Sequence, residues 1–359
     1  MRRSPLGRGL IAGCAALLAG ACVSAPPGPE RAVVPAPPVA APPPPAPAPP
    51  PLVTPRPLPE VFESDEFIVT VARPGDTADT LAARHLGAAS KAWMIEDFPG
   101  ARTFAPGEEV VIPRRPWNPS GVEASGYQIV PILCYHNLGE QAKGRLVLAA
   151  SRFQEQMRHL KANVYRVVSL GEFVEFTRLG GQLPRRSVVL TFDDGYRSFR
   201  QFAYPVLKDL GFTATLFVYT DYVGAGRNAL SWQDLRDLVA EGFDVQAHSK
   251  THGDLRRASD ETDAQYARRM QAELAHPQDL FQKNLGRKSP IIAYPYGSWD
   301  ESVLGKAGEY GYTAGFSVRR QGNASFIRPL AGSRSQIYSE MTLEDFVKNL
   351  NVYQQESLK

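Results

Sequence analysis

From Glu66 onward the chain alternates apolar and polar positions. Phe67-Ile68-Val69-Thr70-Val71 has the period of a strand. Pro74-Gly75-Asp76-Thr77 then makes a turn in which Gly75 supplies the reversal and Asp76 or Thr77 the N-cap of a helix through Leu81–Leu86. A second helical stretch runs around Lys91 to Asp97, and Ala105-Pro106-Gly107 turns the chain into Glu108–Pro113, so residues 66–113 read as a small β-α-α-β unit. After an irregular stretch holding Pro116, Pro119 and Gly121, the apolar run Tyr127–His136 suits a buried strand. Helical and strand periods then alternate. The helices are expected near Ser151–Lys161, Phe199–Leu210, Trp232–Glu241, Asp260–Asn284 and Glu301–Tyr310; the strands at Ser187–Phe192, Thr213–Tyr219, Phe243–Ala247, Pro290–Tyr294 and Thr313–Val318. Such alternation predicts βα units and a mainly parallel sheet in an α/β domain, and the segment from residue 127 is long enough to close a barrel with helices outside.

The residues before this region have a different pattern. Arg2, Arg3 and Arg8 precede an apolar run from Leu10 to Ala21, too short to span a bilayer, which needs about 20 apolar residues. The run ends Leu18-Ala19-Gly20-Ala21-Cys22, similar to a bacterial lipobox, and that resemblance implies removal of residues 1–21 and a lipid anchor on Cys22. Ile11-Ala12-Gly13-Cys14 fits the same pattern with almost no apolar region ahead of it, and ordinary signal cleavage near Ala21 or Ala25 is the plainer reading. Of the chain's 31 prolines, 17 fall between Pro26 and Pro59, a composition that favours extended polyproline II and cannot bury enough surface to fold. Residues 22–65 are therefore expected to be a disordered tether. At about 3.1 Å per residue, the stretch from Ala25 to Glu60 reaches on the order of 110 Å.

Charge changes little in this picture. The formal net charge is +3, and it belongs to the signal: without residues 1–21 the chain carries 37 basic and 37 acidic side chains. Such a balance argues against nucleic acid or another polyanion as partner. Three cysteines in 359 residues exclude a disulfide scaffold.

Three clusters of candidate chemistry fall where predicted strands end. In Thr191-Phe192-Asp193-Asp194-Gly195-Tyr196, adjacent carboxylates at a strand exit point in different directions, so that one is free to bind a metal while its neighbour handles protons. In His248-Ser249-Lys250-Thr251-His252, two imidazoles four residues apart meet one ion if the segment turns helically. With a carboxylate they make a set that leaves coordination positions open, as a catalytic metal needs. In Ala293-Tyr294-Pro295-Tyr296-Gly297 the proline and glycine shape a groove wall.

In order and spacing these motifs resemble the NodB-homology polysaccharide deacetylases, carbohydrate esterase family 4, over residues 127–350. The resemblance implies a distorted (β/α) barrel. It assigns Asp193 as general base, Asp194, His248 and His252 as ligands of a divalent ion, expected to be zinc, and the Tyr296 backbone N–H as oxyanion donor. Two departures stand out: Ala293 occupies the place of an arginine, and no late Leu-x-His supplies a general acid. Leu133-Cys134-Tyr135-His136 is similar to the opening of the exported poly-N-acetylglucosamine deacetylases, which points to His136 as the acid. Arg334 resembles that subgroup's late arginine and would orient the base. Trp232, Tyr294 and Trp299 are candidate sugar-stacking faces. Residues 66–113 resemble a LysM carbohydrate-binding module, with Asp97 where the family usually has Asn.

Together these readings divide the chain into a signal (1–21), a tether (22–65), a LysM-like module (66–113), a linker (114–126), a deacetylase domain (127–350) and a tail (351–359). The expected activity is metal-dependent removal of acetyl groups from an N-acetylglucosamine polymer, peptidoglycan or poly-N-acetylglucosamine. It would take place at the bacterial cell envelope, in the periplasm or at the outer membrane, with the lipid at Cys22 anchoring the enzyme to the membrane. Two rivals remain: an inactive glycan-binding lipoprotein, and a deacetylase of acetyl esters or small amides.

Overall fold

A computed structural model describes residues 61–98 and 103–357. The signal, Cys22 and most of the tether lie outside the described residues, and no described helix is long and apolar enough to cross a membrane.

The N-terminal unit is an antiparallel sheet of β1 (Val61–Glu63), β2 (Phe67–Val71) and β3 (Glu109–Pro113), covered by α1 (Ala78–His85) and α2 (Ala92–Asp97). The boundary expected at residue 66 moves back, because Val61–Glu63 pairs with Ile68–Thr70. Thr77 caps α1, exchanging hydrogen bonds with Thr80 in a capping box. Ile68, Leu81, Ala82, Ile95, Val110 and Ile112 close a core of the unit's own.

The larger domain begins with β4 (Val122–Glu123), β5 (Gly126–Gln128) and β6 (Ile132–Tyr135). The run expected as one strand is broken by Pro131, whose carbonyl accepts from Val189 N–H. Then follow β7 (Asn137–Gly139), β8 (Val147–Ala149), α3 (Ala150–Ala162), β9 (Arg166–Val167), α4 (Leu170–Thr177), β10 (Ser187–Asp194), α5 (Tyr204–Leu210), β11 (Thr215–Val218), α6 (Trp232–Ala240) and β12 (Asp244–Ala247). The chain ends through α7 (Asp263–Met270), α8 (His276–Leu285), β13 (Ile291–Ala293), α9 (Glu301–Glu309), β14 (Ala314–Phe316), β15 (Ser335–Gln336), α10 (Leu343–Val347) and β16 (Tyr353–Gln355). The long helix expected over 260–284 starts at Asp263 and carries a π-helical turn, Gln271–Ala275, between α7 and α8.

The main sheet runs β15-β6-β10-β11-β12-β13-β14 with every pair parallel, and β9 adds to β10. It curls into an α/β half-barrel with helices outside. The period-2 alternation of β10 sorts its side chains. Val188, Leu190 and Phe192 face the helices, where they join Leu133, Tyr135, Leu216 and Val218. Val189 faces the interior with Ile132, Phe217, Ala293 and Phe316, and Thr191 and Asp193 share its side of the strand.

Two boundaries need correction. The presumed linker contributes β4 and the first residue of β5, and the presumed tail contributes β16, which pairs antiparallel with β5. At Gly126 a Cβ would lie 2.1 Å from the Gln354 carbonyl, so the approach of the C-terminal strand itself requires glycine there.

Candidate active site

The site lies where β6, β10 and β12 leave the barrel. Asp193 is the last interior-facing residue of β10 and is buried. Its two oxygens receive Arg334 Nη1 at 2.6 Å and Nη2 at 2.8 Å. Arg334 stands just before β15 and is fully enclosed. Its Nε donates to the Ser317 carbonyl, Nη1 also reaches Thr191 Oγ1, and its guanidinium lies 5.0 Å from the centre of the Phe217 ring. Burial alone would push the Asp193 carboxyl up, but the Arg334 charge and hydrogen bonds prevail and hold it far below the usual carboxylate range. A group so held is ionised at neutral pH, as a proton acceptor must be.

Asp194 has the opposite parity on the strand and would face the helices if β10 continued. Its φ of +74° and that of Gly195, +84°, turn the chain instead. Asp194 Oδ1 thereby comes within 3.4 Å of His252 Nε2 and 3.7 Å of His248 Nε2. The histidine segment is not helical. Positive φ at Ser249 and His252 folds it back, and His252 N–H donates to Ser249 Oγ. His248 Nδ1 donates to the Ala293 carbonyl at 2.7 Å, which fixes the tautomer with Nε2 free toward Asp194. The backbone of Ala293 thus serves the site although its side chain cannot.

These three residues fit a metal. Their ligand atoms lie within 4.8 Å of one another. Asp194 Oδ1 is buried without a hydrogen-bond partner. Burial pushes Asp194 up to about 6 and His248 down to about 3, and lowers His252 as well. At neutral pH the imidazoles are therefore uncharged ligands rather than partners in ion pairs with Asp194, and a cation offsets the cost of its buried charge.

His136 follows β6, and its ligand nitrogen lies within 4.8 Å of the Asp193 carboxylate and of Cys134 Sγ. Its Nε2 is 3.4 Å from Gln336 Nε2, and its Nδ1 is buried without a partner. Tyr296 is held at φ +58° and is 65% exposed, its ring 4.7 Å from that of His252. Gly297 beside it is at φ +69°, and a Cβ there would lie 2.5 Å from Val318 N, so both conformation and space demand glycine.

The expected stacking faces fall elsewhere. Tyr294 is buried with its hydroxyl donating to the Leu330 carbonyl, Trp232 packs edge-on against Phe281, and Trp299 packs against the core. Tyr294 is enclosed in the core between sheet and helices, and Trp232 and Trp299 are half-buried against it. Besides Tyr296, the aromatic residues at the site include Tyr219 and Tyr222, stacked 5.1 Å apart, with Tyr219 against His252 and Tyr196 against Tyr222. Sequence reasoning missed them because each follows a strand singly, in no motif. It also missed Glu273 in the π-helical turn, whose carboxylate accepts from Lys250 N–H, Thr251 N–H and Thr251 Oγ1 and so pins the histidine segment. A cavity of about 690 Å³ lined by Trp93, Arg166 and Gln182 lies against the residues entering β10 and β11, at the other ends of these strands from the cluster.

Residues 180–315, which hold the Asp and His motifs, match the polysaccharide deacetylase family profile. Over those residues the chain is similar to the polysaccharide deacetylases. Similar proteins include a putative polysaccharide deacetylase, YxkH, of Bacillus subtilis, 28% identical over 207 residues, 58% of this chain and 67% of that protein. A poly-beta-1,6-N-acetyl-D-glucosamine N-deacetylase of Staphylococcus aureus is 28% identical over 183 residues, covering 48% of this chain and 62% of its own length. The chain therefore spans about two thirds of the curated relatives it matches. Among solved structures, the Streptococcus pyogenes deacetylase PplD superposes with a TM-score of 0.56 at 24% identity, over 63% of this chain and 100% of that one. IcaB from Ammonifex degensii gives 0.55 at 23% identity, over 63% and 98%. At that identity the likeness shows the fold alone.

Proposed function

We propose that the protein hydrolyses the acetamido group of N-acetylglucosamine units in an envelope polysaccharide. The observation that carries this reading is an open Asp194–His248–His252 set beside an ionised carboxylate, Asp193, locked by a buried arginine. A divalent ion, zinc by the chemistry of one carboxylate and two imidazoles, would be held by Asp194, His248 and His252 and supplies Lewis acidity toward water and the acetyl oxygen. Asp193 takes a proton from the attacking water. The Tyr296 N–H donates to the developing oxyanion, and His136 delivers a proton to the leaving amine. Tyr219 and Tyr222 exclude water from one side and offer ring faces to a sugar.

The likeness to the Staphylococcus aureus enzyme and the Tyr135-His136 opening favour β-1,6-linked N-acetylglucosamine polymer. A LysM-like module at 66–113 would hold glycan near the site, and a lipid on Cys22 would place the enzyme at the cell envelope. An acetate-release panel over poly-N-acetylglucosamine, chitin oligomers, peptidoglycan and acetyl-xylan, with zinc supplied, tests the reading. Acetate should come from an N-acetylated glycan, stop on chelation, and be lost in Asp193→Asn while metal stays bound. Release unaffected by chelation and by Asp193→Asn would sink it, and release from acetyl-xylan alone would reassign the bond.

A further inference from the structure

A second group of ligand atoms adjoins the first. Cys134 Sγ, a nitrogen of His136 and a carboxylate oxygen of Asp193 also lie within 4.8 Å of one another. Cys134 Sγ is 3.3 Å from Asp193 Oδ2. With zinc–sulfur and zinc–oxygen bonds of about 2.3 and 2.0 Å, two ligands on a tetrahedral ion stand about 3.5 Å apart. The sulfur–oxygen separation already has that value, and the imidazole is within reach of a side-chain adjustment. His136 Nδ1 is buried without a hydrogen-bond partner, and its Nε2 makes one long contact, 3.4 Å, to Gln336 Nε2.

We propose that Cys134, His136 and Asp193 form a second site for a thiophilic divalent cation, zinc in the first instance, whose occupation shuts the enzyme off. The carboxylate has room for it. Of its roughly four lone-pair positions, two accept from Arg334 and one from the Cys134 S–H, and the last of these is vacated when the ion binds. The Sγ–H bond breaks, the proton leaves to solvent, and the sulfur lone pair forms the Sγ–Zn bond; zinc stays divalent and nothing is oxidised. The Arg334 charge opposes a cation at this place, so the second site fills only after the first. Once filled, it takes both proton-handling groups of the proposed reaction, the base Asp193 and the acid His136. Only the inhibitory consequence rests on the proposed deacetylation; the binding site stands on geometry.

The experiment titrates the metal-free full-length protein with Co²⁺ and follows absorption. The wild type should take up two equivalents, the second accompanied by a near-ultraviolet thiolate-to-cobalt charge-transfer band. Cys134→Ala and His136→Gln should each retain the first equivalent and lack the band, with near-ultraviolet circular dichroism confirming that they fold. In parallel, acetate release by the wild type should fall about tenfold as zinc exceeds one equivalent, and release by Cys134→Ala should not fall from its own maximum. A single equivalent in the wild type, or a band that survives in Cys134→Ala and so comes from Cys14 or Cys22, overturns the site. Two bound ions with no acetate released from any glycan would leave the site standing and overturn deacetylation instead.

Discussion

Arg334 holds both carboxylate oxygens of Asp193, at 2.6 and 2.8 Å, although the two stand 141 positions apart in the sequence, and with no solvent around either group. The parallel pairing of β15 with β6, and of β6 with β10, brings the two together inside the half-barrel. Thr191, Ser317 and the Phe217 ring satisfy the rest of the guanidinium. A buried ion pair of this kind adds little net stability, but losing one partner leaves a bare charge.

Replacing Arg334 therefore has two separable effects. Arg334→Ala should destabilise the domain by about 3–5 kcal/mol in denaturant unfolding, since Asp193 is left buried and unpaired. Arg334→Lys keeps a charge but not the fork, and kcat should drop about a hundredfold. In both variants the acid limb of the rate profile should move to higher pH. The arginine depresses the Asp193 carboxyl, the ionised base exists only above its pKa, and that pKa rises when the arginine goes.

The parallel half-barrel and the meeting of Asp194, His248 and His252 beside Asp193 were legible because each is written locally: βα alternation, and Asp193-Asp194 and His248…His252 directly after apolar runs. What joins distant segments was legible only in part. Arg334 was readable by resemblance, but nothing in its own neighbourhood places it beneath Asp193. Tyr294, Trp232 and Trp299 misled because an aromatic ring beside a motif carries no sign of which layer it fills. The linker and tail were polar and short, and their strands β4, β5 and β16 exist through pairing with each other.

Glu273 ties the metal-ligand segment to the π-helical turn. Its carboxylate takes three donors from Lys250 and Thr251, midway between the two histidines. Glu273→Ala should lower metal affinity by about 10–100-fold, in the range found for partners that orient ligands, with the fold retained. Competition with a chromophoric chelator measures this directly, and unchanged affinity would mean that the histidines hold their geometry unaided.

His136 is assigned to protonating the leaving amine, so its loss should show in turnover. His136→Gln should reduce kcat by about 10²–10⁴-fold with KM nearly unchanged and the first metal equivalent still bound. The loss should shrink for an activated substrate, such as an aryl ester, whose leaving group needs no proton. Equal losses on both substrates would remove His136 from the acid role.

The N-terminal unit has its own electrostatic lock, which makes its stability depend on pH. Asp76 is held at about 2, chiefly by hydrogen bonds from Arg84, and it also accepts from Arg73 N–H. A carboxyl depressed below its ordinary value contributes fully above that value and loses its contribution as pH falls through the folded pKa, here between about 4 and 2. Arg84 is about one third exposed, and solvent screening there limits the pair to about 1 kcal/mol. Hydrogen exchange in peptides covering β2 and α1 should therefore show protection that is flat from pH 7 to 5 and falls in that acid window. Asp76→Asn should start lower by about the same amount and lose the dependence. If wild type and variant fall in parallel, the acid sensitivity belongs to other carboxylates and Asp76 does not set it.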